Sequence, residues 1–169
     1  NLIKAILACD NSGGVSKNGT MPWPKNSRDL KWFKSNTAQN VVVMGSTTWD
    51  DPIMPGPLPK RVNVLATTRE KDYPGAHKYI QGELAKEIQA VDEENKNKVT
   101  WIIGGPNIIN QTLEIIDEFY LSRIPGNYNC DTFLPLKKIE QIFEKTWTEN
   151  HVNVEFQIWK KRNKIETIS

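Results

Sequence analysis

Three features of the sequence predict an α/β fold: a mostly parallel central sheet flanked by helices and ending in an antiparallel C-terminal hairpin. Short β-branched apolar runs recur along the chain, helical repeats lie between them, and the last stretch turns to strict apolar and polar alternation. The runs are Leu2 to Cys9, Val41 to Met44, Val62 to Ala66, Val99 to Ile103 and Phe119 to Ile124. Nearly continuous apolar runs of this length suit strands buried on both faces, as in a parallel sheet between two helical layers. Alternation of strand and helix requires right-handed crossovers, which gives the parallel arrangement.

The first run leads into Gly13-Gly14-Val15-Ser16-Lys17-Asn18-Gly19-Thr20-Met21-Pro22-Trp23-Pro24. Loops beyond the carboxyl ends of parallel strands form the ligand crevice, so Gly13 to Met21 is a candidate lid as well as a plain surface loop. Trp23, held between prolines, is too bulky for a mobile loop unless it packs or holds a water. A helix begins with Ser27 near its N-cap. Asp29 in its first turn suits the helix dipole by about 0.3–1 kcal/mol with no function implied. Asp29, Leu30 and Phe33 nevertheless fall at i, i+1 and i+4, which sets a carboxylate beside two apolar side chains. Such a carboxylate has a raised pKa and suits an amidine-like heterocycle.

Val43-Met44-Gly45-Ser46-Thr47-Thr48 is a strand ending in Gly, with three hydroxyls at a helix start. That pattern serves either a phosphate or ordinary helix capping. Pro52 to Pro59 holds four of the ten prolines and forms one stiff apolar loop. Leu84, Ile88 and Val91 mark an amphipathic helix. Gly104-Gly105-Pro106-Asn107 follows the next strand, where two glycines let the backbone approach a diphosphate or simply make a tight turn, and Pro106 opens a helix with Ile108, Ile109 and Leu113. At the C-terminus, Phe143 to Glu149 is strand-like, and Val152, Val154, Phe156 and Ile158 alternate with polar residues, which predicts the hairpin.

Composition narrows the function. The 169 residues, 38% apolar and 25% charged, suit one domain spanning 1–169. A net charge of +2, with no dense basic run before Lys160-Lys161-Arg162, argues against a nucleic acid or membrane surface as partner. Cys9 and Cys130 lie far apart with no metal-ligand spacing, as expected of reduced thiols in a cytoplasmic protein. Ala5 to Cys9 is far too short for a membrane span or a signal-peptide core. His77 and His151 have no Ser or Cys partner for a triad, and no ligand cluster suggests a metal.

In order along nearly the whole chain stand Lys17-Asn18-Gly19-Thr20-Met21-Pro22-Trp23-Pro24, Asp29, Trp32-Phe33-Lys34-Ser35-Asn36-Thr37, Met44-Gly45-Ser46-Thr47-Thr48-Trp49, Pro57 to Asn63, Ile102-Ile103-Gly104-Gly105 and Asp131-Thr132-Phe133. This ordered set resembles the dihydrofolate reductases. The resemblance implies NADPH-dependent reduction of 7,8-dihydrofolate to tetrahydrofolate, serving one-carbon metabolism and thymidylate synthesis, in a monomer that antifolates would bind. It implies that Asp29 binds the pterin and favours protonation of N5, that Trp23 orders a nearby water, and that Ser122 bonds the Asp29 carboxylate. Ile6, Leu30, Phe33, Ile53 and Leu58 would wall the substrate, and Arg61 would grip its glutamate carboxylate.

On the cofactor side it implies Ala8, Gly13, Gly14, Ile103 and Ile109 toward the nicotinamide. Gly45, Ser46, Thr47, Thr48, Gly104, Gly105, Pro106 and Asn107 would lie at the phosphates. Thr67, Thr68 and Arg69 would lie at the adenosine 2′-phosphate. It also implies a cis peptide between Gly104 and Gly105. Ser46 and Thr47 replace basic residues common in the family, Ile109 replaces a frequent Tyr, and Pro106 replaces a third Gly. A related pterin or pyrimidine reductase, a noncatalytic nucleotide-binding module and an RNA-binding role for the six Trp are the competing readings.

Overall fold

A computed structural model describes residues 2–163, and the limits of the domain expected over 1–169 lie outside the described residues. Among the described residues the chain runs β1 (Ile3–Cys9), β2 (Gly14–Ser16), α1 (Ser27–Thr37), β3 (Val41–Gly45), α2 (Ser46–Trp49), β4 (Val62–Ala66), β5 (Lys78–Ile80) and α3 (Leu84–Glu94). It continues with β6 (Thr100–Gly104), α4 (Pro106–Thr112), β7 (Glu118–Arg123), β8 (Thr132–Phe133), α5 (Leu136–Ile142), β9 (Phe143–Asn150) and β10 (Glu155–Lys161).

Eight strands form one sheet in the order β5-β4-β3-β6-β1-β7-β10-β9. The first six are mutually parallel, whereas β10 runs antiparallel to both β7 and β9. The expected fold class is therefore the observed one. Successive strand residues serve opposite faces, and this splits the core in two. Val41 and Val43 of β3 join Ile102, Ile88, Val91 and Ile109 beneath α3 and α4. Val42 and Met44 join Ile6, Leu65, Ile103 and Phe33 beneath α1.

Several local expectations change. The side chain of Asn26, not Ser27, caps α1, accepting from the Asp29 N–H over 3.0 Å. The second hairpin strand begins at Glu155, since Val152 is fully exposed in the turn and Val154 is buried beside Trp23 rather than paired in the ladder. The short elements β2, β5, β8 and α5 were not expected from the sequence. The Gly104–Gly105 and Gly56–Pro57 bonds are cis.

The strand order reverses around β1. The chain leaves β1 for β3, β4 and β5 on one side, then returns through β6 to reach β7 on the other. Such a switch point opens a crevice beyond the carboxyl ends of the strands.

Candidate active site

A cavity of about 540 Å³ opens at this switch point. Ala8 of β1, Gly45 of β3, Ala66 of β4, Ile80 of β5, Ile103 of β6 and Ser122 of β7 all reach its wall, so every parallel strand of the main sheet contributes its carboxyl end. Helix α1 supplies Asp29, Leu30 and Phe33, as the i, i+1, i+4 spacing requires. Asp29 is 93% shielded from solvent, with 7% exposure. Burial holds its carboxyl above the usual carboxylate range, and a hydrogen bond from Ser122 opposes that shift without cancelling it.

On the wall beyond β3 and β6 lie Gly45, Ser46, Thr47 and Thr48, together with Gly105, Pro106 and Asn107. A Cβ on Gly45 would come within 2.8 Å of Ile108 Cδ1, so a side chain there would displace the end of Ile108 on the cavity wall. Gly104 has φ +116°, a conformation that favours glycine. Neither Gly45 nor Gly105 caps its helix with a side chain, so the first N–H groups of α2 and α4 are available to a ligand. Thr67, Thr68 and Arg69 follow β4 along the same wall. The Arg69 guanidinium stands 3.4 Å from Asp50 Oδ2.

The lid expected over Gly13 to Met21 lies across the cavity, with Val15, Ser16, Gly19 and Met21 on its wall. One flank of this segment is tied to β8: β2 pairs with it, the Ser16 and Thr132 hydroxyls are hydrogen-bonded, and the Asn18 N–H donates to Asp131 Oδ2 over 2.9 Å. On the other flank the Thr20 hydroxyl donates to Asp51 Oδ1 over 2.7 Å. Asp10, fully buried at the lid's base, accepts from the N–H groups of Ser12, Gly14 and Tyr128. Burial alone would raise its carboxyl, but these three donors outweigh burial and hold it below the usual range.

Some expected residues stand off the wall. Ile53 is 41% exposed, and Met54 takes its place in the cavity. The reason is a turn in which Asp51 Oδ1 accepts from the Ile53 N–H and the Met54 N–H donates to the Asp51 carbonyl. Ile109 is wholly in the core, because consecutive helical residues point in directions about 100° apart and Ile108 takes the cavity side. Gly13 and Gly14, at the start of the lid segment, face Leu136 and Cys130 respectively, and Gly104 faces Leu7, so these three stand off the cavity wall. Leu58 is buried beside Phe33, its backbone held by the Asn63 side chain.

Arg61 lies one side chain out, 5.9 Å over the Phe33 ring, and donates to Thr37 Oγ1 and to the Pro59 carbonyl. Trp23 is buried against Tyr128 in an edge contact at 6.0 Å, next to the lid rather than on the wall. Asp51 and Met54 were missed by the sequence reading. The one signal for Asp51 was an acidic residue directly before Pro52, a turn-forming pair.

Neither thiol is placed as a nucleophile: burial pushes Cys9 up to about 12 and, with Asp10 adding to the effect, Cys130 up to about 11. The site is thus a switch-point crevice with open helix starts on one side and a buried carboxylate in an apolar recess on the other. A family model described as dihydrofolate reductase matches residues 2–162, and the chain belongs to the dihydrofolate reductase family. Family membership brings with it NADPH-dependent reduction of dihydrofolate.

A viral dihydrofolate reductase of Saimiriine herpesvirus 2 is 30% identical, over 95% of this chain and 85% of that protein. The dihydrofolate reductase of Sus scrofa is 28% identical, over 95% of this chain and 98% of its own. A solved dihydrofolate reductase from Enterococcus faecalis, complexed with NADP(H) and RAB-propyl, has the same fold. It superposes with a TM-score of 0.79 at 23% identity, covering 96% of this chain and 97% of that one.

Proposed function

We propose that this cavity carries out the family reaction with Asp29 as the residue that touches the pterin, in a domain spanning 1–169 that acts as a cytoplasmic monomer. The observation carrying this reading is Asp29 itself. It is a buried carboxylate on an apolar wall, with one hydrogen bond from Ser122 and, among the described residues, no cation acting on it. A carboxylate left this way needs a donor-rich partner, and the amidine-like edge of a pterin supplies one.

When bound, NADPH supplies the hydride that C6 of the substrate accepts, while N5 gains a proton. The protein's share is placement and electrostatics. Leu30, Phe33 and Ile6 give the apolar side of the cavity that orients the ring, with Met54 standing where Ile53 was expected. Asp29 favours the protonated substrate, since a negative charge in a water-poor recess acts through little screening. Ser122 fixes the carboxylate, and Trp23 with Tyr128 braces the lid that excludes water. Arg61 has donors left for an α-carboxylate after its bonds to Thr37 and Pro59.

The residues present also fit NADPH. Gly45 and Gly105 permit close backbone approach, Thr48 offers a hydroxyl, and Arg69 offers a charge at the adenosine end. The test is the fall in reduced-nicotinamide absorbance when dihydrofolate is added to the protein with NADPH. A steady fall that Asp29→Ala abolishes supports the assignment, and an undiminished rate in that variant overturns it.

A further inference from the structure

Resting on the reading of Arg69 as the residue at the 2′-phosphate, we propose that Asp50 is a specificity-determining residue that restrains the preference for NADPH over NADH. Among the described residues lining the cavity, Arg69 is the single cation, while Asp29 and Asp51 are anionic. Its guanidinium is already engaged, with Nη1 3.4 Å from Asp50 Oδ2. Asp50 follows α2 directly, and its own N–H donates to the Ser46 carbonyl, which fixes its backbone at the end of that helix. Arg69 is anchored as well, its N–H donating to Thr67 Oγ1.

A phosphate entering between these two loops therefore meets a paired guanidinium. It must draw Arg69 from Asp50 or share it, and in either case a carboxylate stays within a few ångströms of the incoming dianion. Competition and like-charge repulsion act in the same direction; the competition for Arg69 acts only on a ligand carrying the 2′-phosphate, and the repulsion falls most strongly on that group because it lies nearest Asp50. Both side chains are about half exposed, 55% for Arg69 and 45% for Asp50, so the effect is modest and screened by salt.

The test uses the intact protein and two cofactor fragments, adenosine 2′,5′-bisphosphate and ADP, with binding measured by calorimetry. Asp50→Asn should bind the bisphosphate roughly 2- to 5-fold more tightly and ADP unchanged, the range expected on releasing one exposed ion pair. The gain should shrink at high salt and vanish when Arg69→Ala is added. Equal changes for both ligands, or weaker binding of the bisphosphate, would show that Asp50 does not restrain Arg69 and overturn the proposal. If Arg69→Ala alone weakens the bisphosphate selectively while Asp50→Asn changes nothing, only the role of Asp50 fails. If Arg69→Ala weakens neither ligand, the assignment of Arg69 fails and this proposal with it.

Discussion

Ser122 of β7 donates its hydroxyl to the carboxylate of Asp29 on α1, joining a central strand to the helix that lies over it. Both groups are buried, 1% and 7% exposed, and both reach the cavity wall.

Asp29→Asn should lower turnover at neutral pH by roughly 10²- to 10⁴-fold, the usual scale for losing a group that governs proton transfer, with partial recovery in acid. It should also make the fold more stable. The folded pKa of Asp29 lies above its unfolded value, so the group's contribution is most favourable below the unfolded pKa and is lost as pH rises through the folded one. Urea unfolding should show the variant ahead of the parent at neutral pH, with the gap closing in acid. A variant less stable at both pH values would contradict the burial argument.

Ser122→Ala removes the one feature that lowers the Asp29 pKa. The apparent pKa in the pH profile of kcat/KM should move upward, and stability should fall by about 1–3 kcal/mol for the unpaired acceptor. An unmoved profile would show that the two side chains are uncoupled in solution.

Thr20→Val removes the 2.7 Å bond to Asp51 while keeping the side chain's shape. Hydrogen exchange at residues 17–21 should quicken, with global stability changing by no more than about 1 kcal/mol because the pair is only part-buried. Unchanged exchange there would mean that Asp131 and β8 hold the lid without help.

Arg69→Ala should reduce kcat/KM for NADPH by roughly 10- to 150-fold, the worth of one charge-assisted hydrogen bond, and leave NADH nearly untouched. The pairing with Asp50 favours the lower end of that range. Equal losses for the two cofactors would remove Arg69 from the phosphate site.

Asp10→Ala should cost roughly 2–4 kcal/mol, because it orphans the N–H groups of Ser12, Gly14 and Tyr128 in a buried setting. In the parent, the Asp10 pKa lies below its unfolded value. Its stabilisation is therefore present above the unfolded pKa and lost as pH falls through the folded one. Acid unfolding followed by circular dichroism should show a smaller acid-dependent loss in Asp10→Ala.

Periodicity and residue type were enough to place the central strands, the amphipathic helices and the carboxylate-bearing face of α1. These depend on local patterns of two and 3.6 residues, which the chain carries whatever its tertiary fold. The roles expected of Trp23, Ser122 and Arg61 came from family resemblance alone, since nothing near Ser122 in sequence announces a partner on α1. Only the tertiary structure decided that Met54 faces the cavity and Ile53 the solvent. One hydrogen bond from the Ile53 N–H to Asp51 turns that loop, and adjacent apolar residues in a loop without periodicity look alike in sequence. Only the tertiary structure set Asp51 against Thr20, Asp10 against Tyr128 and Asp50 against Arg69. Each of these contacts spans a loop, where the partner is fixed by the strand order of the sheet and not by spacing along the chain.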